Sequence, residues 1–220
     1  MSIVVLSGGM DSTTLLWDTL ATYPDEKVET VSFNYGQRHA RELDCARRLA
    51  ACRRIPHHEL DISALKVVFA GSSQTTTSIP VPEGRYDAPS MKTTVVPNRN
   101  MIMLALAAGL AIARHHSWIA YGAHSGDHAI YPDCRPEFVS TMSAALGRCH
   151  YPPGIRLWVP YLNNTKGQIC KRGLELGVPY RLTWTCYAGL ERPCGKCGAC
   201  VERAEAFAFA NVQDPLLEVE

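Results

Sequence analysis

The stretch IVVLSGGMDS, residues 3–12, decides the fold. Its apolar, β-branched start predicts a buried strand, and the pattern that follows, with Leu15, Leu16 and Leu20 on one side, predicts a helix. Gly8 and Gly9 between them let the backbone turn tightly and approach a phosphate, because no Cβ is in the way. A strand, a glycine turn and a helix direct backbone N–H groups at an anion, so the stretch predicts an anion-binding loop.

Two common phosphate-binding loops do not fit this stretch. A Walker A loop ends in Gly-Lys-Ser/Thr, and residues 3–12 contain no lysine. The dinucleotide fingerprint needs G-x-G-x-x-G, which Gly8-Gly9 does not match. SGGMDS does fit SGGxDS, the signature of the PP-loop ATP pyrophosphatases, and an ordinary strand-to-helix turn is the alternative. Ser7 and Ser12 add hydroxyl donors, and Asp11 makes sense if it holds a magnesium ion or fixes the loop.

Length, charge and apolar patterning limit the class of protein. The 220 residues suffice for one domain with at most a small appendage, and the 46% of hydrophobic residues can build a full core. No apolar run is long enough to span a bilayer and no secretory signal is visible, so we expect a cytoplasmic protein without a membrane partner. The formal net charge of +1 argues against a nucleic-acid substrate and favours a small molecule.

Periodicity predicts strands and helices in alternation. After the first strand and helix, strands are predicted at residues 28–35, 57–62, 117–121 and 155–159. Helices are predicted at residues 40–55, 101–114, 137–146 and 201–210, and another one ends at Gly177. Pro136 suits the first position of its helix, and Asn164 or Thr165 is the expected cap of the helix that follows the fifth strand.

Residues 71–96 differ from the rest of the chain because they are rich in Ser, Thr, Pro and Gly and show no period. Such a stretch within a compact domain is usually functional or mobile, so we interpret it as a lid over the site, with a passive surface insertion as the alternative. The helix that follows is apolar on most sides. Arg99 lies at the start of this helix, where it could neutralise a phosphate, and Asn98 or Asn100 is expected to cap the helix.

Polar residues also crowd the loop at residues 122–135, which follows a predicted strand. A guanine-like edge presents two adjacent N–H donors, and one carboxylate accepts both, so Asp127 or Asp133 is a candidate for this contact. Arg135 or Arg99 is a candidate for binding a substrate carboxylate. Each of these residues taken singly is more often a surface residue, but their grouping at a strand end favours a site.

Two further places carry candidate residues. Tyr35 and Arg38 lie in a polar turn after the second predicted strand, and ligands of parallel sheets bind at such strand ends. Lys166 lies in the first turn of a predicted helix, where the helix dipole disfavours a cation. This position suggests that Lys166 serves an anion, and a solvated lysine is the alternative.

Cys186, Cys194, Cys197 and Cys200 fall within one short stretch, whereas the other five of the nine cysteines are scattered. In a cytoplasmic chain such a cluster favours a metal over disulfides. Four thiolates at this spacing make a tetrahedral zinc site with no open position, which holds the C-terminal tail to the body. An iron–sulfur cluster is the alternative, although the spacing and the trailing proline of the bacterial ferredoxin run are missing.

The motifs together narrow the family. SGGMDS at residues 7–12, VPNRN at 96–100, YPDCRPEF at 131–138 and TCYAGLERPCGKCGAC at 185–200 resemble the 7-cyano-7-deazaguanine synthases, over nearly the whole chain. The sequence departs from the family at Thr185, where serine is common, and at residues 211–215, where a glycine is expected before the acidic residue and proline. Neither departure touches the expected chemistry.

The resemblance implies an α/β fold of the PP-loop, adenine nucleotide alpha hydrolase-like type, with a parallel twisted sheet and helices on both faces. It implies a nucleotide-binding domain at residues 1–183 and a zinc-stapled segment at residues 184–220 packed on it. The implied enzyme is a homodimer with one structural Zn²⁺ per chain. It is an ATP- and Mg²⁺-dependent ligase that converts 7-carboxy-7-deazaguanine and ammonia to 7-cyano-7-deazaguanine, in queuosine biosynthesis, through an adenylated acid and an amide.

For this chemistry we expect three groups of residues beside the metal ligands. The expected catalytic residues are Asp11, Ser12, Arg99 and Lys166. The expected ATP-binding residues are Leu6, Ser7, Gly8, Gly9, Met10, Asp11, Ser12, Thr13, Thr14, Leu15 and Leu16. The residues expected to hold the deazapurine are Tyr35, Arg38, Asp127, Asp133 and Arg135.

Two rival functions stay open. One is another PP-loop enzyme, such as a tRNA thiolase or an amide-forming synthetase, although a thiolase needs a basic face that the near-neutral charge does not suggest. The other is a non-catalytic nucleotide-binding module with a zinc staple. The ammonia source is also open, because no glutaminase domain is visible in the sequence.

Overall fold

The computed structural model describes residues 1–217, whose five strands form one parallel sheet in the order β3–β2–β1–β4–β5. The strands are β1 (Ser2–Val5), β2 (Val28–Asn34), β3 (His57–Asp61), β4 (Trp118–Ala120) and β5 (Arg156–Trp158). The helices are α1 (Met10–Thr22), α2 (Arg41–Cys52), α3 (Arg99–Ala113), α4 (Pro136–Leu146), α5 (Lys166–Glu175) and α6 (Gly198–Phe209). The predicted strands and helices are therefore confirmed, with ends that differ by a few residues. None of the helices in the described range is long and apolar enough to cross a membrane.

Alternate residues of the central strand point to opposite faces of the sheet, and helices cover both. Ile3 packs with α3 and α4, whereas Val4 packs with α1, α2, α5 and α6. In β4, Ile119 belongs to the same buried cluster as Ile3, and Ala120 belongs to the same buried cluster as Val4. The predicted parallel sheet with helices on both faces is confirmed, and it explains why β1 and β4 at its centre are mostly apolar on both sides.

The order of the strands places a crevice beside β1. The chain runs outward from β1 to β2 and β3 on one side and to β4 and β5 on the other. Ligands of open parallel sheets bind outside the carboxyl ends of the strands where the order reverses in this way. The SGGxDS turn after β1 and the loop after β4 both lie at this point, so the topology brings the two predicted groups of polar residues together.

The predicted caps were partly right. Thr165 caps α5, because its hydroxyl accepts from the Gln168 N–H and the Gln168 side chain accepts from the Thr165 N–H. Asn98 lies at the N-cap position of α3, as one of the two predicted alternatives has it, but neither its side chain nor that of Asn100 makes the capping hydrogen bond. Asp133 supplies the capping hydrogen bond, since its Oδ2 accepts from the Asn100 N–H at 3.2 Å. This bond comes from the loop after β4 and not from the adjacent chain.

Residues 71–96 contain more structure than their composition predicts. A 3₁₀ helix spans Pro89–Thr94, and Ser72, Ser73 and Gln74 are fully buried or nearly so. The Gln74 backbone is held on both sides, because its C=O accepts from the Arg38 N–H at 2.7 Å and its N–H donates to Ser72 Oγ at 3.1 Å. Two residues of the segment, Gln74 and Tyr86, line the crevice at the carboxyl end of the sheet, and its role as a lid stays a prediction.

Candidate active site

A single cavity occupies the crevice, with about 1110 Å³ of space between the protein atoms when its mouth to solvent is counted. Its wall is built from the SGGxDS turn, the end of β2, the starts of α2, α3 and α5, the loop after β4 and the segment around Trp184. Residues 71–96 contribute Gln74 and Tyr86 as a cover. The cavity lies where the topology predicts a ligand.

The SGGxDS turn presents the amino end of α1 to this cavity. Ser7 Oγ and Ser12 Oγ lie 3.0 Å apart, and Ser12 Oγ also accepts from the Ser7 N–H at 3.1 Å. Gly9 is the N-cap residue of α1, and it has no side chain that could cap this end. The first N–H groups of a helix have no partner within the helix and carry partial positive charge, so the turn offers donors to an anion.

Beside the turn lies a group of ion pairs centred on Lys166, which is the first residue of α5 and is buried. Lys166 Nζ lies 3.3 Å from Asp11 Oδ2 and 2.6 Å from Glu202 Oε2. Burial disfavours the charged lysine, but Asp11 and Glu202 outweigh it and raise the pKa of Lys166 above its usual range. The first-turn lysine is therefore a cation held between two carboxylates, with Asp11 on the cavity side.

His124 lies between the carboxylates of Asp11 and Asp127. Its Nε2 lies 3.6 Å from Asp11 Oδ2 and 3.6 Å from Asp127 Oδ2. Burial lowers the pKa of His124, but Asp127 and Asp11 outweigh it and raise the pKa to about 9. Burial likewise raises the pKa of Asp11, but Lys166 and His124 outweigh it and hold that pKa below its usual range. At neutral pH His124 is thus charged, and it lies between two carboxylates that line the cavity.

The opposite side of the cavity is rich in hydrogen-bond donors. Arg99 Nη1 donates to Tyr35 Oη at 3.3 Å and to Gln74 Oε1 at 3.2 Å. Because a guanidinium group has no acceptor, only the carbonyl oxygen of Gln74 can face it, and the Gln74 Nε2 is left without a partner among the described residues. Burial raises the pKa of Tyr35 to about 12 against the opposing effect of Arg99, so the Tyr35 hydroxyl stays protonated.

The cover is joined to both walls. Tyr86 Oη donates to Asp127 Oδ1 at 2.9 Å, which fixes the carboxylate that faces the cavity. The Gly84 N–H donates to the Lys196 C=O at 2.9 Å, and Glu83 and Cys197 form an isolated antiparallel bridge. Residues 71–96 therefore connect the loop after β4 with the cysteine-rich segment.

The predicted site residues fall into two groups. Those that line the cavity are Leu6, Ser7, Gly9, Met10, Asp11, Ser12, Tyr35, Arg99, Asp127 and Lys166. Those outside its lining have other partners: Arg38 donates to the Thr76 and Ile79 carbonyls, Asp133 caps α3, and Arg135 donates to the His128 carbonyl. Gly8 faces α2, Thr13 and Thr14 donate to the Gly9 and Met10 carbonyls, and Leu15 and Leu16 are core residues.

Several residues in the cavity wall or directly behind it were not found from the sequence. Glu202 lies on α6, where a glutamate in a helix of mixed composition looks like a solvated residue, yet it is 8% exposed. Tyr86 lies in the aperiodic segment and carries no pattern at all. Tyr187 directly follows the first clustered cysteine, and this adjacency was the one available signal. Contacts that join parts of the chain distant in sequence leave no periodic trace.

The four clustered cysteines meet in space. The sulfur atoms of Cys186, Cys194, Cys197 and Cys200 all lie within 4.8 Å of one another. A tetrahedral zinc site with bonds of about 2.3 Å separates its sulfurs by about 3.8 Å, so this arrangement fits one metal ion. Backbone N–H groups support the thiolates, since those of Cys194 and Ala188 donate to Cys186 Sγ at 3.3 and 3.4 Å. The four residues can hold a metal ion.

The sheet order and the SGGxDS turn define a PP-loop α/β protein. NMN synthetase from Francisella tularensis superposes with a TM-score of 0.51, at 15% identity, over 96% of this chain and 77% of that chain. The U34-tRNA thiolase NcsA from Methanococcus maripaludis, solved with its 4Fe–4S cluster, gives 0.51 at 12% identity over 96% and 65%. Similarity at these identities shows the shared fold and nothing more.

The family follows from closer relatives. The family model of queuosine biosynthesis protein QueC matches residues 1–211. The 7-cyano-7-deazaguanine synthase of Marinobacter nauticus is 53% identical over 97% of this chain and 95% of its own length. That of Methanoregula boonei is 51% identical over 98% and 97%. The chain therefore belongs to the family of queuosine biosynthesis protein QueC, the 7-cyano-7-deazaguanine synthases.

Proposed function

We propose that this chain is an ATP-dependent ligase that converts 7-carboxy-7-deazaguanine and ammonia to 7-cyano-7-deazaguanine. The observation that carries the proposal is the cavity, which joins an anion-binding SGGxDS turn to a carboxylate and a guanidinium group in a chain of this family. Such a cavity suits a phosphate, a base edge and a carboxylate at the same time.

The turn and α1 would hold the phosphates of ATP. Ser7, Gly9 and Ser12 line the cavity, and the N–H groups at the start of α1 supply donors. Asp11 fits a magnesium ion, because its buried Oδ1 has no hydrogen-bond partner among residues 1–217 and a carboxylate oxygen is a ligand that Mg²⁺ prefers. Bound there, Mg²⁺ would neutralise phosphate charge. Lys166 and Arg99 would stabilise the charge that develops as pyrophosphate leaves.

The opposite part of the cavity would hold the deazapurine. Asp127 is the better candidate for the base edge, since it lines the cavity while Asp133 caps α3. A carboxylate there accepts the two adjacent N–H donors of a guanine-like edge. Tyr35, Arg99 and Gln74 form a group of donors that suits the substrate carboxylate.

The chemistry needs two activations, because a carboxylate is a poor electrophile. Attack of a carboxylate oxygen on the α-phosphorus of ATP releases pyrophosphate and gives an acyl adenylate. Ammonia then displaces AMP and leaves an amide. A second ATP activates the amide oxygen in the same way, and loss of AMP and of the nitrogen-bound protons forms the nitrile. The chain's part is to orient the reacting atoms and to stabilise phosphate charge.

We also propose that the four clustered cysteines hold one structural Zn²⁺. The sulfur separations support this choice, because a cluster that bonds each thiolate to a different iron needs more room between the sulfurs. The family resemblance supports a homodimer. The net charge of +1 supports a small-molecule substrate and no binding of nucleic acid. The nine unpaired cysteines support a location in the cytoplasm.

A turnover assay tests the proposed function. Purified protein with ATP, Mg²⁺, ammonium and the acid should form the nitrile and release two pyrophosphates per nitrile. When the amide replaces the acid, one pyrophosphate should be released and ammonium should not be needed. Asp11→Ala should lose pyrophosphate release while its circular dichroism spectrum stays unchanged. ATP binding without turnover would favour a non-catalytic module, and the transfer of sulfur to tRNA would favour a thiolase.

A further inference from the structure

We propose that Glu202 is a positioning residue that holds the Lys166 ammonium group toward the phosphates, so that the C-terminal helix α6 completes the active site. The inference rests on the proposed function, since it concerns how the adenylation step is supported. Glu202 belongs to none of the motifs that indicated the family, and it lies outside the cavity lining, whereas Lys166 lies within it.

The contacts define two sides of the lysine. Glu202 Oε2 lies 2.6 Å from Lys166 Nζ, and Asp11 Oδ2 lies 3.3 Å from the same atom. Asp11 lines the cavity and Glu202 does not, so Glu202 holds the ammonium group from behind. Both side chains of the closer pair are almost fully buried, at 7% and 10% exposed, so water screens this contact little.

Gly126 provides the space for this arrangement. A Cβ built at Gly126 would lie 2.6 Å from Glu202 Oε1 and 2.9 Å from the His124 ring. The backbone of Gly126 is not in the left-handed region, so conformation alone does not require glycine there. The loop after β4 and α6 therefore approach each other closely at Gly126, where an added Cβ would meet the Glu202 carboxylate.

The arrangement has a consequence for the reaction. With Glu202 present, Lys166 shares its charge between two carboxylates and keeps its shorter contact away from Asp11. Without that carboxylate, Asp11 becomes the one anion in contact with Lys166 and draws the ammonium group onto itself, in competition with the phosphates. Because charge on the leaving pyrophosphate grows in the transition state, the loss falls on the rate of adenylation more than on substrate binding.

The test compares Glu202→Gln with the matched control Glu205→Gln, an exposed glutamate on the same helix. Pyrophosphate release is measured at steady state with ATP, Mg²⁺, ammonium and the acid, together with metal content and thermal unfolding. We expect the kcat of Glu202→Gln to fall at least about tenfold, with both KM values within about threefold of wild type. Metal content should not change, and Glu205→Gln should match wild type in every measurement.

A second variant separates charge from packing. Glu202→Asp retains a carboxylate, but its side chain is one methylene shorter and lies further from Lys166. This variant should recover part of the kcat that Glu202→Gln loses. Unchanged kcat in Glu202→Gln would overturn the inference, and so would a loss of kcat that parallels a loss of bound metal, because the role would then be structural. A wild-type protein that releases no pyrophosphate would instead overturn the proposed function.

Discussion

At the scale of single residues, Gly8 shows why the SGGxDS turn is so restricted. Its φ is +88°, which residues with a Cβ rarely adopt. A Cβ there would also lie 2.1 Å from the Glu42 carbonyl oxygen and 2.9 Å from the Ala46 nitrogen, both in α2. The glycine therefore serves two purposes, a left-handed turn and the close packing of the turn against a helix. Gly36 shares the first condition alone, with φ of +82° and no atom within 4 Å of the Cβ position.

This pair of glycines permits a controlled measurement. Gly36→Ala should cost about 1–2 kcal/mol of unfolding free energy, which is the penalty of a left-handed residue. Gly8→Ala should cost more than about 3 kcal/mol, because backbone atoms of α2 cannot yield as a flexible side chain does. Equilibrium unfolding in urea gives both values. Equal losses in the two variants would mean that the contact with α2 does not restrict the turn.

At the scale of elements, periodicity predicted the strands and helices because it reports which face is buried. It could not predict contacts between elements. Asn98 lies at the N-cap position of α3, but the capping hydrogen bond comes from Asp133, thirty-three residues beyond Asn100. The segment 71–96 has few apolar residues, yet it is held by backbone hydrogen bonds and by Tyr86. The polar residues at the strand ends were predictable, because parallel topology brings these ends together. The contact of Glu202 with Lys166 was not predictable.

The C-terminal elements also explain one departure from the family pattern. Arg203 on α6 is buried and donates two hydrogen bonds to Asp214, at 2.6 and 2.8 Å. Its Nη1 also donates to Thr185 Oγ1 at 3.1 Å. A serine at position 185 would offer the same hydroxyl acceptor, so the threonine retains the contact. The arginine joins the tail to the residue that precedes the first clustered cysteine.

The cysteine segment leads to a prediction about metal content. The purified protein should contain one zinc per chain and be colourless, because Zn²⁺ has a filled d shell. Cys197→Ser should lose the metal and lower the melting temperature, since a structural zinc contributes directly to folding. Cys52→Ser, at an exposed cysteine outside the cluster, is the control and should keep both properties. Iron with visible absorption in the purified protein would instead identify an iron–sulfur cluster.

At the scale of the whole molecule, residues between 184 and 207 contribute to the main core. Trp184, Ala206 and Phe207 belong to the same buried cluster as Val4 of the central strand. The Trp184 N–H donates to the Gly8 carbonyl at 2.9 Å, which ties the segment to the SGGxDS turn itself. A boundary at residue 183 remains a prediction of the sequence. The shared core implies that the two parts stabilise each other and do not fold separately.

Tryptophan fluorescence can test that implication, because Trp184 lies in the C-terminal segment and Trp118 in the sheet, both almost fully buried. Two variants would each retain one of these tryptophans, with the other three of the four replaced by phenylalanine. Each is unfolded in urea with its metal bound, and circular dichroism of the same samples corrects for any change in stability. The fluorescence midpoint should coincide with the circular dichroism midpoint in both variants, because breaking the shared core exposes both parts at once. If Trp184 becomes exposed at lower urea while the sheet stays folded, the segment is an independent appendage, and contacts such as that of Glu202 with Lys166 can open without unfolding the enzyme.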